Sequence, residues 1–301
     1  FSIEQLAGDL LPDATQPQHI ATAFNRNHLL NGEGGAIAEE QRFNNLFDRV
    51  DTTSTTWLGL TMACAQCHDH KYDPLTQADY YRLLHVFNQV PETGRPGRQS
   101  SRIRIAPPFL EVATADQKKE LARLKQNMRQ LEKKAKPVID VAYEAWKSGL
   151  FSDGQAGDGK DLPGSLTPLL RKPKDTQSDA EKKKIENGLR KFFDSKVRQS
   201  VTKTLSIVTE YEEAKQAHDA FSGDKIPRIM VMSDNKPRET RVLDRGDYLS
   251  PLGNALVFAP PATLPPLPET LPKNRLGLAK WLFLPEHPLT ARVQVNRMWQ
   301  H

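Results

Sequence analysis

Two cysteines separated by two residues and followed at once by a histidine are the residues of this chain best suited to chemistry. They lie in the run Cys64-Ala65-Gln66-Cys67-His68, which contains both cysteines of the 301-residue sequence. This spacing is typical of c-type haem attachment, in which two thiols bind the porphyrin vinyl groups and the histidine binds the iron. We therefore predict haem c bound covalently through Cys64 and Cys67, with His68 as the proximal iron ligand.

The same residues are compatible with a structural module that holds zinc or a disulfide at Cys64 and Cys67. Structural zinc takes four ligands, usually from two Cys/His pairs, and the sequence has no second cysteine pair. His70 could complete such a site only in a cramped local loop. A redox dithiol is a third interpretation, but that pattern normally follows a strand and lacks an adjacent histidine. These alternatives stay open beside haem.

A haem that only carries electrons needs a second axial ligand, whereas an open position permits small-molecule binding or redox catalysis. His28 is the first candidate for the distal ligand, because it lies in a loop of the same N-terminal segment. Haem propionates pair with arginine or lysine, and Arg26, Arg49 and Lys71 are the predicted partners. The other candidate distal ligands are His85, His301, Met62, Met230, Met232 and Met298.

The glycine-rich run from Asn31 to Gly35 predicts a loop, and Glu39 and Glu40 follow it closely. Carboxylate and carbonyl oxygens are the ligands that calcium prefers, so a calcium site is a second cofactor prediction. Glycines at these positions serve equally for a tight turn or for a close approach of the backbone to the haem.

The composition indicates a rather polar soluble protein of two or three domains. Hydrophobic residues make up 38% of the sequence and charged residues 26%, with a net charge of +5. No apolar run reaches the length of a transmembrane helix, so we predict no transmembrane segment. The lysines are spread over predicted helical faces without interleaved aromatic residues, which argues against nucleic-acid binding.

Hydrophobic periodicity predicts a mainly α fold in three parts. Residues 1–95 form the helical haem-binding unit, in which the mostly apolar run 55–63 predicts a buried helix with the cysteines near its C-terminal end. Residues 96–224 form a helical insertion, and residues 225–301 a C-terminal helical unit with short strands at 228–232 and 239–243 and a proline-rich extended segment at 259–272.

Within the insertion, apolar residues at coiled-coil spacing from Leu121 to Ala135 predict a long helix that needs a partner. The stripe at 197–220 supplies one, so we predict an antiparallel helical hairpin that projects from the body. This hairpin is the predicted surface for a homo-oligomer or a complex with another protein.

Several blocks of sequence carry a family resemblance. The chain resembles the planctomycete cytochrome-associated domain family, followed by the usual C-terminal companion domain of that family, in these blocks: Phe24–His28, Asn31–Gly35, Asp48–Val50, Trp57–Leu60 and Cys64–Pro74, then Arg245–Tyr248, Asn274–Ala279, Pro288–Val293 and Asn296–Arg297. The resemblance implies exported proteins of unknown reaction, and therefore a periplasmic or otherwise extracytoplasmic location. It also implies sequence beyond both ends, so we expect the chain to be truncated there.

Taken together, these features predict a c-type haem protein that performs electron transfer or haem-based redox chemistry outside the cytoplasm with a redox partner protein. With an open iron position it would be a haem-dependent oxidoreductase. The alternative is a polysaccharide-related enzyme whose active site is not identifiable, because no carboxylate pair stands at a recognisable glycosidase spacing.

Overall fold

The computed structural model describes residues 1–29, 31, 33, 35–95, 105–150, 162–170, 172–173 and 176–300. Among others, Gly32, Gly34, His301 and residues 151–161 lie outside this set. The α-helices are α1 (Ser2–Ala7), α2 (Gln16–Ala21), α3 (Ala38–Thr53), α4 (Gln77–Phe87), α5 (Ala115–Gly149), α6 (Thr167–Leu170), α7 (Asp179–Phe192), α8 (Arg198–Thr202), α9 (Ser206–Ala220), α10 (Arg275–Leu282) and α11 (Thr290–Gln300). The strands are β1 (Phe109–Glu111), β2 (Arg228–Met230), β3 (Thr240–Leu243) and β4 (Pro251–Leu256).

The mainly α prediction is confirmed, and the chain divides into two compact units. The first contains residues 1–112 and 227–301, and the second contains residues 113–226. The sequence had suggested separate units at 1–95 and 225–301. They belong to one unit because Leu6, Tyr80, Met232 and Trp281, which come from both stretches, are buried in a single hydrophobic core.

Local sequence signals explain the helices around the cysteines. The run from Thr76 to Asp79 predicts a capping box, because Thr is followed three residues later by an acidic side chain, and the structure has one at the start of α4. The Thr76 hydroxyl accepts a hydrogen bond from the Asp79 amide (3.1 Å), and the Asp79 carboxylate accepts one from the Thr76 amide (3.0 Å). Helix α3 buries Leu46 and Val50 against this core, as its spacing of apolar residues predicts.

Both predicted strands of the C-terminal stretch are present as β2 and β3. Each pairs antiparallel with a strand that the sequence did not suggest, β2 with β1 and β3 with β4. Strand β4 escapes prediction because it is mostly exposed and contains Gly253, which weakens a strand pattern. The stretch at 259–272 has no helix or strand, as predicted, and the Pro265 carbonyl accepts a hydrogen bond from the Trp281 indole (2.8 Å).

The second unit contains the pair of long helices that the apolar stripes predicted, α5 and α9, together with α6, α7 and α8. Ala135 and Ile139 of α5 share a buried cluster with Val208 of α9. Near the start of α5, the Gln117 side chain donates to the Lys225 carbonyl just beyond α9 (2.7 Å), so the two helices run antiparallel. Its use as an oligomer or complex surface stays a prediction.

Among the described residues, none of the helices combines the length and apolar composition that a membrane crossing requires.

Candidate functional site

The two cysteines lie on a short 3₁₀ turn that follows the end of α3. That helix continues as a π-helical turn over Ser54–Leu58 and stops at Gly59, whose φ of +65° is left-handed. A separate 3₁₀ turn over Met62–Gln66 then carries Cys64 and ends at Cys67. The expectation of one buried helix from the run 55–63 to the cysteines was therefore wrong, because a left-handed glycine ends a helix.

Side chains of α11 bind the carbonyl groups left free at this helix end. The Arg297 guanidinium donates to the carbonyls of Thr55 (2.6 Å) and Thr56 (2.8 Å), and the Gln294 amide also donates to Thr56 (2.9 Å). A cation at the C-terminal end of a helix also complements the helix dipole. The C-terminal residues thus fix the point at which the cysteine segment leaves α3.

Both thiols are exposed and unpaired, and His68 is exposed beside them. The His68 ring donates from Nδ1 to the Asp69 carbonyl (2.7 Å), because a carbonyl oxygen can only accept. The lone pair of Nε2 is then available to a metal. A backbone carbonyl on the other ring nitrogen is the usual way in which a metal-binding histidine is oriented.

His70 closes the loop that follows the site and has no free ring nitrogen. Its Nδ1 accepts hydrogen bonds from the amides of Tyr72 (3.2 Å) and Asp73 (2.8 Å). Because Nδ1 accepts, the proton is on Nε2, which lies 3.2 Å from the Thr61 hydroxyl. His70 therefore holds the loop in shape, and the zinc alternative has no ligand here without loss of these bonds.

The backbone between the two cysteines is anchored to α4. The Gln66 carbonyl accepts hydrogen bonds from the Tyr81 hydroxyl (3.0 Å) and from the Gln77 amide (3.0 Å). The same Gln77 amide also donates to the Leu243 carbonyl at the end of β3 (3.0 Å). Asp69 accepts from the Gln77 backbone amide (2.8 Å), so the residue after His68 caps α4. The site is thus rigid on its inner side.

Three residues predicted to contact haem lie instead in a buried cluster around Glu92. Arg49 donates to both carboxylate oxygens of Glu92 (2.5 and 2.8 Å) and to the Asn25 carbonyl (2.8 Å). Arg26 lies 3.6 Å from Glu92 and donates to two carbonyls at positions 106 and 107 (3.1 and 3.2 Å). His28 accepts from Arg49 through Nε2 (3.0 Å). Pairing of Arg26 and Arg49 with propionates, and ligation by His28, stay predictions that would require these bonds to be exchanged.

Charge and burial act together on this cluster. Burial, and then the charge of Arg49, lower the pKa of His28 to about 4, so the ring is neutral at pH 7. Burial alone would raise the pKa of Glu92, but the charge and hydrogen bonds of Arg49, with the charge of Arg26, lower it to about 2. The cluster therefore contains two guanidinium groups, one carboxylate and one neutral imidazole.

The remaining predictions concern Lys71, as a partner of a haem propionate, and the calcium candidates. Lys71 is exposed beside the thiols, with its ammonium 5.1 Å from the centre of the Tyr72 ring, and remains available to a propionate. Of the calcium candidates, Glu39 is bound by Arg42 at 2.6 to 3.0 Å. In the part of the chain that the structure describes, no three His, Cys, Asp or Glu side chains come together to hold a metal ion.

The loop Asp244–Ser250 was not predicted to belong to the site, yet it lies against the cysteine segment. A Cβ added to Gly246 would come 2.9 Å from the Gln66 amide nitrogen and 3.4 Å from the Cys67 sulfur. The run Arg245-Gly246-Asp247 indicates a turn and no more, and no local signal places a loop that is so far away in the sequence beside a cysteine.

Asp51, on the inner side of this region, gives a pH-dependent prediction. Burial raises the pKa of its carboxyl to about 6, with a further rise from the charge of Asp48. A raised pKa means that the folded state binds more protons, so stability is lost as pH rises from about 4 to about 6. Asparagine does not titrate, so Asp51→Asn should not lose this stability. The unfolding free energy of Asp51→Asn minus that of wild type should therefore increase by about 1 to 2 kcal/mol from pH 4 to pH 7.

Urea unfolding at both pH values measures this difference. Glu40→Gln, which removes an exposed carboxylate from the same helix, serves as the control and should show no comparable trend. An Asp51→Asn curve parallel to wild type from pH 4 to pH 7 would contradict the prediction.

The comparisons with known proteins support the pair of domains that the resemblance predicted. Residues 1–92 match the family model PSCyt2, described as a protein of unknown function (DUF1549). Residues 274–301 match the family model PSD1, described as a protein of unknown function (DUF1553). No curated protein and no solved structure matches the chain. The chain thus matches, near its two ends, the pair of family models that the resemblance predicted, and both are described only as proteins of unknown function.

Proposed function

We propose that Cys64, Cys67 and His68 attach one haem c and that the protein is an extracytoplasmic redox protein. The observation that carries this proposal is the state of the three side chains. Both thiols are exposed and unpaired, and His68 is exposed with Nδ1 bonded to a carbonyl and Nε2 free. These are the groups that thioether formation and proximal ligation require.

The surrounding residues suit such a site in two respects. The backbone between the thiols is fixed by Gln77 and Tyr81, so their spacing does not depend on the haem. The Asp69 carbonyl orients His68 and increases the basicity of its free nitrogen. When bound, the haem would supply one-electron redox chemistry at iron. Lys71 would hold a propionate at the exposed edge.

Covalent attachment is tested by expression together with a c-type haem maturation system and extraction with acid acetone. Wild-type protein should keep its Soret absorption after extraction, because thioether bonds survive it. The Cys64→Ser, Cys67→Ser double variant should lose it completely, and each single variant should keep a reduced amount through one thioether. His68→Gln should change the spectrum of any haem that remains attached.

The control for the histidine variant is His218→Gln, in the second unit, which should behave as wild type. Correctly matured wild-type protein without covalent haem, whether its thiols are free, joined in a disulfide or bound to zinc, would overturn the proposal. A reversible one-electron wave would indicate a carrier with a partner protein, whereas a spectral change with carbon monoxide would indicate an open iron and an oxidoreductase. No feature of the described residues favours the polysaccharide alternative.

A further inference from the structure

The loop Asp244–Ser250 is held in a defined shape beside Cys67. The Asp247 carboxylate accepts hydrogen bonds from the Leu249 amide (3.0 Å) and the Ser250 hydroxyl (2.9 Å), and the Asp244 amide donates to the Ser250 carbonyl (2.9 Å). Tyr248 packs against Phe43 of α3, with ring centres 6.0 Å apart. The loop is therefore fixed before any ligand arrives.

Gly246 allows the closest approach of this loop to the cysteine segment. Its φ is +79°, and an added Cβ would come 2.9 Å from Gln66 and 3.4 Å from the Cys67 sulfur. Gly253, in the same hairpin, has a similar φ of +65°, but an added Cβ there would meet nothing within 4 Å. The close packing on Cys67 is thus a property of Gly246, separate from its backbone conformation.

Arg245 precedes this glycine in a conformation that is unusual for its residue type. Its φ is +48° and its ψ is +29°, which is left-handed and costs a non-glycine residue energy. The side chain is exposed, and among the described residues no carboxylate or carbonyl binds its guanidinium. Within the described residues this exposed cation has no partner, and its turn lies beside Cys67, so the contacts there give it no role in the fold.

We propose that Gly246 and Arg245 line the attachment site beside Cys67, with Gly246 keeping a side chain out of the path of the porphyrin edge and Arg245 binding a porphyrin carboxylate. The inference rests on the proposed function. Planar guanidinium groups bind carboxylates in a bidentate manner, and such bonds are stronger than neutral hydrogen bonds. Arg245 can form this pair without the loss of any described bond, whereas Arg26 and Arg49 would first have to leave Glu92.

The test for Arg245 is the midpoint potential of the matured protein, measured by spectroelectrochemical titration. Arg245→Gln should have a lower potential than wild type, because the loss of a cation near the haem favours the ferric state. The difference should shrink at high salt, and Arg245→Lys should restore part of it. Arg241→Gln removes the same charge elsewhere in the hairpin, where Arg241 is paired with Glu239, and should stay close to wild type.

The test for Gly246 is the amount of covalent haem per protein chain. Gly246→Ala should reduce it several-fold, whereas Gly253→Ala, with the same kind of backbone strain, should not. Circular dichroism of each variant establishes that the fold is kept. A haem-loaded Arg245→Gln protein with wild-type potential at low salt, or equal haem content in the two glycine variants, would overturn this inference and leave the proposed function intact. Wild-type protein without haem would overturn both.

Discussion

Replacing Glu92 by glutamine is expected to lower the free energy of unfolding by about 3 to 5 kcal/mol. Glu92, Arg49 and Arg26 are each no more than 2% exposed, and this carboxylate is the anion that both guanidinium groups approach. Glutamine keeps the shape but removes the charge, and it turns an N–H₂ group toward two groups that can only donate. Two buried cations would then remain without compensation.

The pH dependence provides an independent check of the same cluster. The pKa of Glu92 is lowered from 4.5 to about 2, so the stability it contributes is present above about pH 4.5 and is lost as pH falls toward 2. Glutamine does not titrate, so the difference in unfolding free energy between wild type and Glu92→Gln should become smaller as pH falls from about 4.5 to about 2. His28 is present in both wild type and Glu92→Gln. Because its pKa is lowered, it makes both proteins lose stability as pH falls from about 6.5 to about 4.

The matched control is Glu239→Gln, which breaks the ion pair between Glu239 and Arg241. Both side chains of that pair are about half exposed, at 54% and 43%, so we expect a loss of no more than about 1 kcal/mol. Urea unfolding of the two variants at pH 7 measures the contrast. Equal losses, or a gap between Glu92→Gln and wild type that does not narrow in acid, would show that the buried cluster is not held together by this charge.

Much of the fold follows from local sequence signals. The capping box at Thr76, the long heptad-patterned helix from Ala115 and the two strands at 228 and 240 all lie where residue spacing predicts. The sequence did not predict the shared core of the first unit. Leu6 and Trp281 lie far apart in the sequence, and hydrophobic periodicity gives information only about residues that are close in the chain. The left-handed Gly59 was missed because a glycine within an apolar run also fits a helix.

For the candidate site, residue types and spacing indicated the two thiols and His68 but not the contacts around them. Arg26 and Arg49 were chosen as cations near the site in sequence. Their actual partner, Glu92, lies 66 and 43 residues further along the chain, and no local pattern connects them. Likewise, Gly246 comes next to Cys67 only through tertiary packing. Chemistry that depends on adjacent residues is readable from a sequence, whereas chemistry that depends on long-range pairing is not.

Arg275→Met is expected to destabilise the first unit by about 3 to 5 kcal/mol, at the upper end of that range. Arg275 is 1% exposed, and its guanidinium makes five hydrogen bonds: two to Asp9 (2.9 and 2.7 Å), two to Asp234 (2.9 and 2.8 Å) and one to the Leu6 carbonyl (2.8 Å). Every N–H of the guanidinium is therefore used. Three of these bonds, those to Asp9 and Leu6, join α10, in the stretch that matches PSD1, to the stretch that matches PSCyt2.

Removal of the Arg275 guanidinium should lower the free energy of unfolding strongly, because this one cation forms ion pairs with two buried carboxylates, those of Asp9 and Asp234. Burial raises the pKa of Asp234 by more than the charge and hydrogen bonds of Arg275 lower it. Without Arg275, Asp9 and Asp234 would face one another as unpaired anions, and the Leu6 carbonyl would lose its donor. Arg275→Lys keeps the charge but offers three donors from one point, so it should recover only part of the loss.

Further substitutions can show whether unpaired charge or lost packing causes the loss of stability in Arg275→Met. If the two unpaired carboxylates cause the loss of stability, then adding Asp9→Asn and Asp234→Asn to Arg275→Met should restore much of it. The reason is that a buried ion cluster can often be replaced by neutral groups. Arg292→Met, which removes an exposed arginine from α11, serves as the control and should change unfolding by less than about 0.5 kcal/mol. An Arg275→Met protein as stable as this control would show that the bonds of Arg275 do not join the two regions energetically. A triple variant no more stable than Arg275→Met alone would assign the loss to packing instead of charge.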